Sequence, residues 1–255
     1  MSTNQPTNPQ PDQSKPLVSP PLIPENMKGK EDYRPLDKKA GVLSILEALL
    51  KYPKQVIFQL HSGNRTPLLI SFFGIIAICM LIYGIIIGSF SAGNQLWAAP
   101  LKLTLGTFFS ALICLPSLYI FSCLSGLDVK LSEICGLLFA NIALSSTLLI
   151  GFAPIAWVFS QSTNSIVFMS ILHLMFWVVG TYFGLRLLYK GLAYFKAGNV
   201  LNENTPNGIL RLWEIIFILV CFQMTTALRP IIGTADSFLP KEKKFFLVHW
   251  KDCLK

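Results

Sequence analysis

From residue 68 to residue 90 the chain reads LLISFFGIIAICMLIYGIIIGSF, without one charged side chain. A helix that crosses a bilayer needs about 20 such residues, because the hydrocarbon core is about 30 Å thick and a helix rises about 1.5 Å per residue. Four more apolar blocks follow, at 103–124, 134–159, 166–189 and 209–228. The expectation is an all-α membrane protein, a five-helix transmembrane bundle over residues 67–230. Composition agrees: 13% of the 255 residues are charged, against about 25% in soluble domains. Pro116 should kink the second span, and Pro154 should bend or end the third.

The flanks differ in kind. Residues 1–40 hold eight of the sixteen prolines, mixed with Asn, Gln and Ser. Such a segment buries no core and reads as a disordered tail. Residues 41–66 form an amphipathic segment, with Val42, Leu46, Leu49 and Leu50 on one helical face and Ser44, Glu47 and Lys51 toward the other. Pro53 must break it. Its first piece is too short to span, so it lies either at the membrane interface or against another subunit. At the far end, residues 231–255 form a basic tail in which Phe246, Leu247, Trp250 and Leu254 share a face among lysines, a second interfacial helix.

Lysine and arginine set orientation. Nine precede the first span, Lys130 lies between the second and third, and Arg186, Lys190, Lys196 and Arg211 surround the connection between the fourth and fifth. On the other side the early loops carry only Lys102, read as a loop residue. The bias puts the N-terminus in the cytoplasm. Five crossings then leave the basic tail outside, against the same rule. The net charge of +8 therefore reads as topology and lipid contact rather than nucleic-acid binding, for which no soluble domain is left.

The last span is the least regular. Only fourteen uncharged residues separate Glu214 from Arg229, about 21 Å of helix against a core of about 30 Å. Arg229 should reach the headgroups, and Pro230 should stop the helix. Arg211 and Glu214 are spaced to pair on one face. Gln223 and Thr226 share another face and should point at protein, since lipid offers them no partner. With Asn141 in the third span and His173 in the fourth, Gln223 and Glu214 are the residues available to line a pathway. Two GxxxG spacings, Gly84 with Gly88 and Gly180 with Gly184, let helix backbones approach closely. They serve either packing inside the bundle or contact with a partner chain.

Catalytic chemistry is missing from the pattern. There is no HExxH, no GxSxG and no Gly-rich phosphate loop. Asp128 and Glu133 read as a solvated inner connection. Five of the six cysteines fall in or beside apolar blocks without a CxxC pair, so they behave as small apolar side chains. No cofactor or metal site is expected.

The last span also carries a resemblance. Gln223, Met224, Leu228, Arg229, Pro230 and Gly233 fit a QM-x-x-x-LRP-x-x-G pattern, and Leu-Pro-Ser-Leu-Tyr at 115–119 fits with it. Over about residues 55–235 the chain resembles bacterial multi-pass membrane proteins with no assigned reaction, and more loosely Yip1-type five-span proteins. The resemblance implies a bacterial cytoplasmic membrane and a cytosolic N-terminus, but no activity. The expected function is a non-catalytic accessory or scaffold subunit of a membrane assembly, or a membrane-organising factor. Its partners are the bilayer and a protein, which is either another chain or a second copy. The alternative is a small transporter or channel using the polar faces of spans three to five.

Overall fold

A computed structural model describes residues 41–62, 65–91, 93, 95–163, 165–196 and 208–228. The predicted tail at 1–40, Arg229, Pro230 and the basic segment 231–255 lie outside the described residues. All regular structure among the described residues is helical: α1 (Val42–Lys51), α2 (Pro53–Ser62), α3 (Arg65–Ser91), α4 (Gln95–Leu124), α5 (Leu131–Ser162), α6 (Ile166–Lys196) and α7 (Gly208–Leu228).

Four of these, α3 to α6, are long and apolar enough to cross a bilayer. The protein is thus a multi-pass integral membrane protein. Apolar side chains such as Ile70, Phe73, Leu112 and Val178 stand exposed on the helices, where lipid is the matching solvent. Exposed Trp97 and Trp157 both lie near the bundle end opposite Arg65, the level at which tryptophan favours a membrane interface. α3 packs against α4 and α5, α5 against α6, and α7 along α4.

The proline expectations are corrected in part. α4 runs through Pro100 and Pro116, and α5 runs through Pro154 to Ser162. Pro154 does not end its helix. Lipid-embedded helices keep their form there because the surroundings offer no competing hydrogen bonds. The turn after α4 is specified locally. Gly126 adopts φ +80°, its N–H bonds Cys123 O at 2.9 Å, and the Leu127 N–H bonds Ser122 O at 3.2 Å. This Schellman turn needs the left-handed position that glycine takes without strain.

Glu133 corrects another expectation. It is buried in the first turn of α5 rather than solvated in a loop. Its Oε2 accepts the Lys130 N–H at 2.9 Å, and its Oε1 accepts from Arg65 Nη2 at 2.7 Å. Arg65 also donates to Ser132 Oγ at 2.8 Å and to Leu60 O at 2.7 Å. One guanidinium thereby ties the start of α3 to the start of α5 and to the end of α2.

The short helices pack on the same chain. Ile45, Ala48 and Leu49 of α1 and Val56, Ile57 and Leu60 of α2 are buried. Leu60 fits against Gly136 of α5, where a Cβ would overlap its side chain. His61 packs on Tyr194 and Phe195 of α6. The buried face of α1 is therefore turned from the one expected: Val42 and Leu50 are about half exposed. Pro53 does separate the two helices. On the open face of α1, Lys51 donates to Glu47 at 2.8 Å. That bond lowers the Glu47 carboxyl and raises the Lys51 ammonium relative to their ordinary values.

Gly180 and Gly184 meet α5. A Cβ on Gly184 would overlap Asn141 Oδ1 and Ser145 Oγ and lie 2.8 Å from Asn141 O. Ser145 Oγ donates to Gly180 O at 2.9 Å across the contact. Gly191 continues the stripe against Leu137. Gly84 abuts the backbone of Pro100 in α4, and Gly88 is buried. The spacings read from sequence as intrabundle or intermolecular packing are thus buried within the chain.

Two predictions follow from this packing. Gly184→Leu should lose about 1–3 kcal/mol through overpacking, read as a lower thermal midpoint and aggregation on size exclusion in detergent. Gly151→Leu, with no atom within 4 Å of its new Cβ, should leave both readouts unchanged. Equal behaviour of the two would refute the close α5–α6 contact. In a double-mutant cycle, Arg65→Leu and Glu133→Leu should couple by about 1–3 kcal/mol, since each leaves the other's charge without its hydrogen bond. Simple additivity of the two would show that the pair does not form.

Candidate functional site

The residues singled out from sequence do not converge. His173 is buried, and its Nδ1 shares a 2.8 Å hydrogen bond with the Tyr83 hydroxyl of α3. Glu214 accepts from the Tyr189 hydroxyl of α6 at 2.6 Å. It does not pair with Arg211, which is exposed. Gln223 is half-buried on α7. Thr226 belongs to α7, but its side chain lies outside the described residues. Of the four residues available to line a pathway, His173 and Glu214 are thus held in separate partnerships. Tyrosines on neighbouring helices take up the imidazole and the carboxylate first.

Asn141 alone reaches a shared space. A cavity of about 50 Å³ lies within the bundle, and α3, α4, α5, α6 and α7 all contribute to its wall. Residues from α4, α5, α6 and α7 fall at helical spacing. On α4 the stripe is Lys102, Leu103, Gly106, Thr107 and Ser110; on α5 it is Asn141, Ile142, Ser145 and Leu149. Trp177 and Thr181 come from α6, Phe217 and Cys221 from α7, and Met80 from α3.

Lys102 is the decisive correction. Expected in an outer loop, it lies two turns inside α4 and is 2% exposed. It is the only charged residue in that helix. The sequence signal was present but ambiguous. Proline favours the first turn of a helix, so Pro100 suggests a start near residue 100. The true start at Gln95 puts the proline in the second turn, against Gly84, and carries the lysine inward. Apolar stem and charged head both fit such a site, but a cation at this depth needs polar company.

Part of that company is already committed. Thr107 Oγ1 donates to Leu103 O at 2.8 Å, and Ser145 Oγ to Gly180 O. Two donors are not. The Asn141 amide Nδ2 and the Trp177 indole Nε1 are buried and have no hydrogen-bond partner among the described residues. A buried donor left unmade costs about 1–3 kcal/mol, and both of these residues line the cavity. Trp177 was not singled out from sequence, because an aromatic in an apolar span carries no signal of its own.

Among the described residues, no group of three His, Cys, Asp or Glu side chains stands close enough to hold an ion. No family model, no curated protein and no solved structure matches this chain.

Proposed function

We propose that the protein is a non-catalytic, five-span integral membrane component, an accessory or scaffold subunit of a membrane assembly. The observation that carries this reading is where the intramembrane polar side chains go. Tyr83 bonds His173, Tyr189 bonds Glu214, the Trp213 indole bonds Ser117 Oγ at 3.1 Å, and Ser145 bonds Gly180. Each joins one helix to another. Polar groups used in this way hold a bundle in one arrangement. In this reading α7 is the fifth span. The N-terminus and the α1–α2 pair lie on the cytoplasmic side, where basic residues accumulate. The resemblance of the last span supports a bacterial cytoplasmic membrane.

A second reading, a small transporter, is favoured by the cavity around Lys102. Purification from native membranes in mild detergent separates the two readings. The scaffold reading expects a stoichiometric partner protein or a homo-oligomer by quantitative mass spectrometry. A lone monomer that conducts solute in proteoliposomes would overturn it. Reporter fusions at the two termini should light up on opposite sides of the membrane; signals from the same side would remove α7 from the set of spans.

A further inference from the structure

α6 and α7 carry the same pattern on their open sides. On α6 the exposed side chains of Met175, Val178, Tyr182 and Phe183 form an apolar stripe that ends at exposed Arg186 and half-buried Lys190. On α7 exposed Leu219 and Ile215 lead to exposed Arg211. Positions three or four apart share a helix face, so each stripe sets its cations directly beyond its apolar part. Contacts of His61 with Tyr194 and Phe195 mark this as the bundle end that holds Arg65.

The two stripes meet at their cationic ends. The Tyr189 hydroxyl donates to Glu214 at 2.6 Å, and Tyr189 stands between Arg186 and Lys190 on α6. Arg211 is near enough to act on the same tyrosine electrostatically. Elsewhere the helices keep different neighbours, α7 along α4 and α6 along α5. Charge at this end has a sign: from residue 186 to residue 214 the sequence holds four basic residues against two acidic ones.

These features select a ligand. A guanidinium matches phosphate through two parallel hydrogen bonds. Long basic side chains at a span's end reach the headgroup layer while their stems follow apolar surface. A matching ligand carries phosphate at that level and apolar chains beneath it. Free phosphate would leave both stripes uncovered. A zwitterionic lipid brings its own cation and leaves the positive surplus unbalanced. An anionic phospholipid meets both demands.

We propose that the paired ends of α6 and α7 bind one anionic phospholipid, its phosphate on Arg186, Lys190 and Arg211 and its acyl chains along the two stripes. The site rests on α7 lying in the bilayer, as the five-span reading has it, and is independent of the scaffold role.

The test is native mass spectrometry of the full-length protein in mild detergent, titrated with equal amounts of dioleoyl phosphatidylglycerol and dioleoyl phosphatidylcholine. One phosphatidylglycerol per chain should be retained, with a preference of about 10-fold or more. Arg186→Gln and Arg211→Gln should each cut that preference about 5-fold, the worth of one basic residue near an anionic headgroup. Both should keep a wild-type elution profile, because the replaced side chains are exposed. Lys51→Gln, which removes an exposed cation from α1, should leave the preference unchanged. Excess inorganic phosphate should not displace the lipid. Equal retention of the two lipids, unchanged preference in either arginine variant, an equal loss in Lys51→Gln, or displacement by inorganic phosphate would each overturn the proposal. Termini reporting from one side of the membrane would sink the five-span reading itself, whereas a failed preference with termini on opposite sides would sink this site alone.

Discussion

Hydrocarbon forms no hydrogen bonds, so every polar group carried into it must find its partner in protein. That constraint organises this bundle. It explains why serines and threonines in the spans donate back to carbonyls of their own helix, as Thr147 does to Ala143 O at 2.7 Å. It explains why His173 and Glu214, the groups that look most like chemistry in the sequence, end against tyrosine hydroxyls. It also makes the exceptions informative. Among the described residues, Thr104, Ser122, Ser170, Asn141 and Trp177 each keep a buried polar atom vacant, and the last two open on the same space as the buried lysine.

Close approach of α5 and α6 makes that space possible. The glycines at 180, 184 and 191 let α6 lie against α5, and Ser145 crosses the contact to the Gly180 carbonyl. Asn141 is held from behind by this contact, with its carbonyl and side-chain oxygen against Gly184. Its amide nitrogen is what remains for the cavity. A second close approach, Gly84 on Pro100, seats α4 on α3 and sets the rotation that turns Lys102 inward. Two glycine contacts on different helix pairs thus aim the amide and the ammonium into the same volume.

Much of this fold was legible as a string. The apolar blocks mark α3 to α7 to within a few residues at most ends, because lipid demands length and leaves little room for alternatives. Rotation about each helix axis was less legible. α1 carries apolar residues at 42, 43, 45, 46, 49 and 50, so several faces compete, and its contacts with α2, α3 and α5 choose Ile45, Ala48 and Leu49. Lys102 was misplaced because hydropathy alone cannot tell a charge beyond a helix from a charge inside one. Glu133 was misread for a related reason: its partner Arg65 lies 68 residues away, and only the fold brings them within 2.7 Å. Glycine spacing announced close contacts but could not name the helix on the other side.

α7 links the open question of span number to the site. It lies along α4, fixed by the Trp213 indole on Ser117 and by a Trp213–Phe217 stack with ring centroids 5.2 Å apart. One turn on, Phe217 and Cys221 form its share of the cavity wall. Without that wall the side of α4 carrying Lys102, Thr107 and Ser110 would lose part of its cover, and a charge facing hydrocarbon is costly. The polar face of α4 and the short, irregular α7 therefore require each other. A helix with too few apolar residues to cross comfortably by itself is held in place by a neighbour whose buried lysine needs it there.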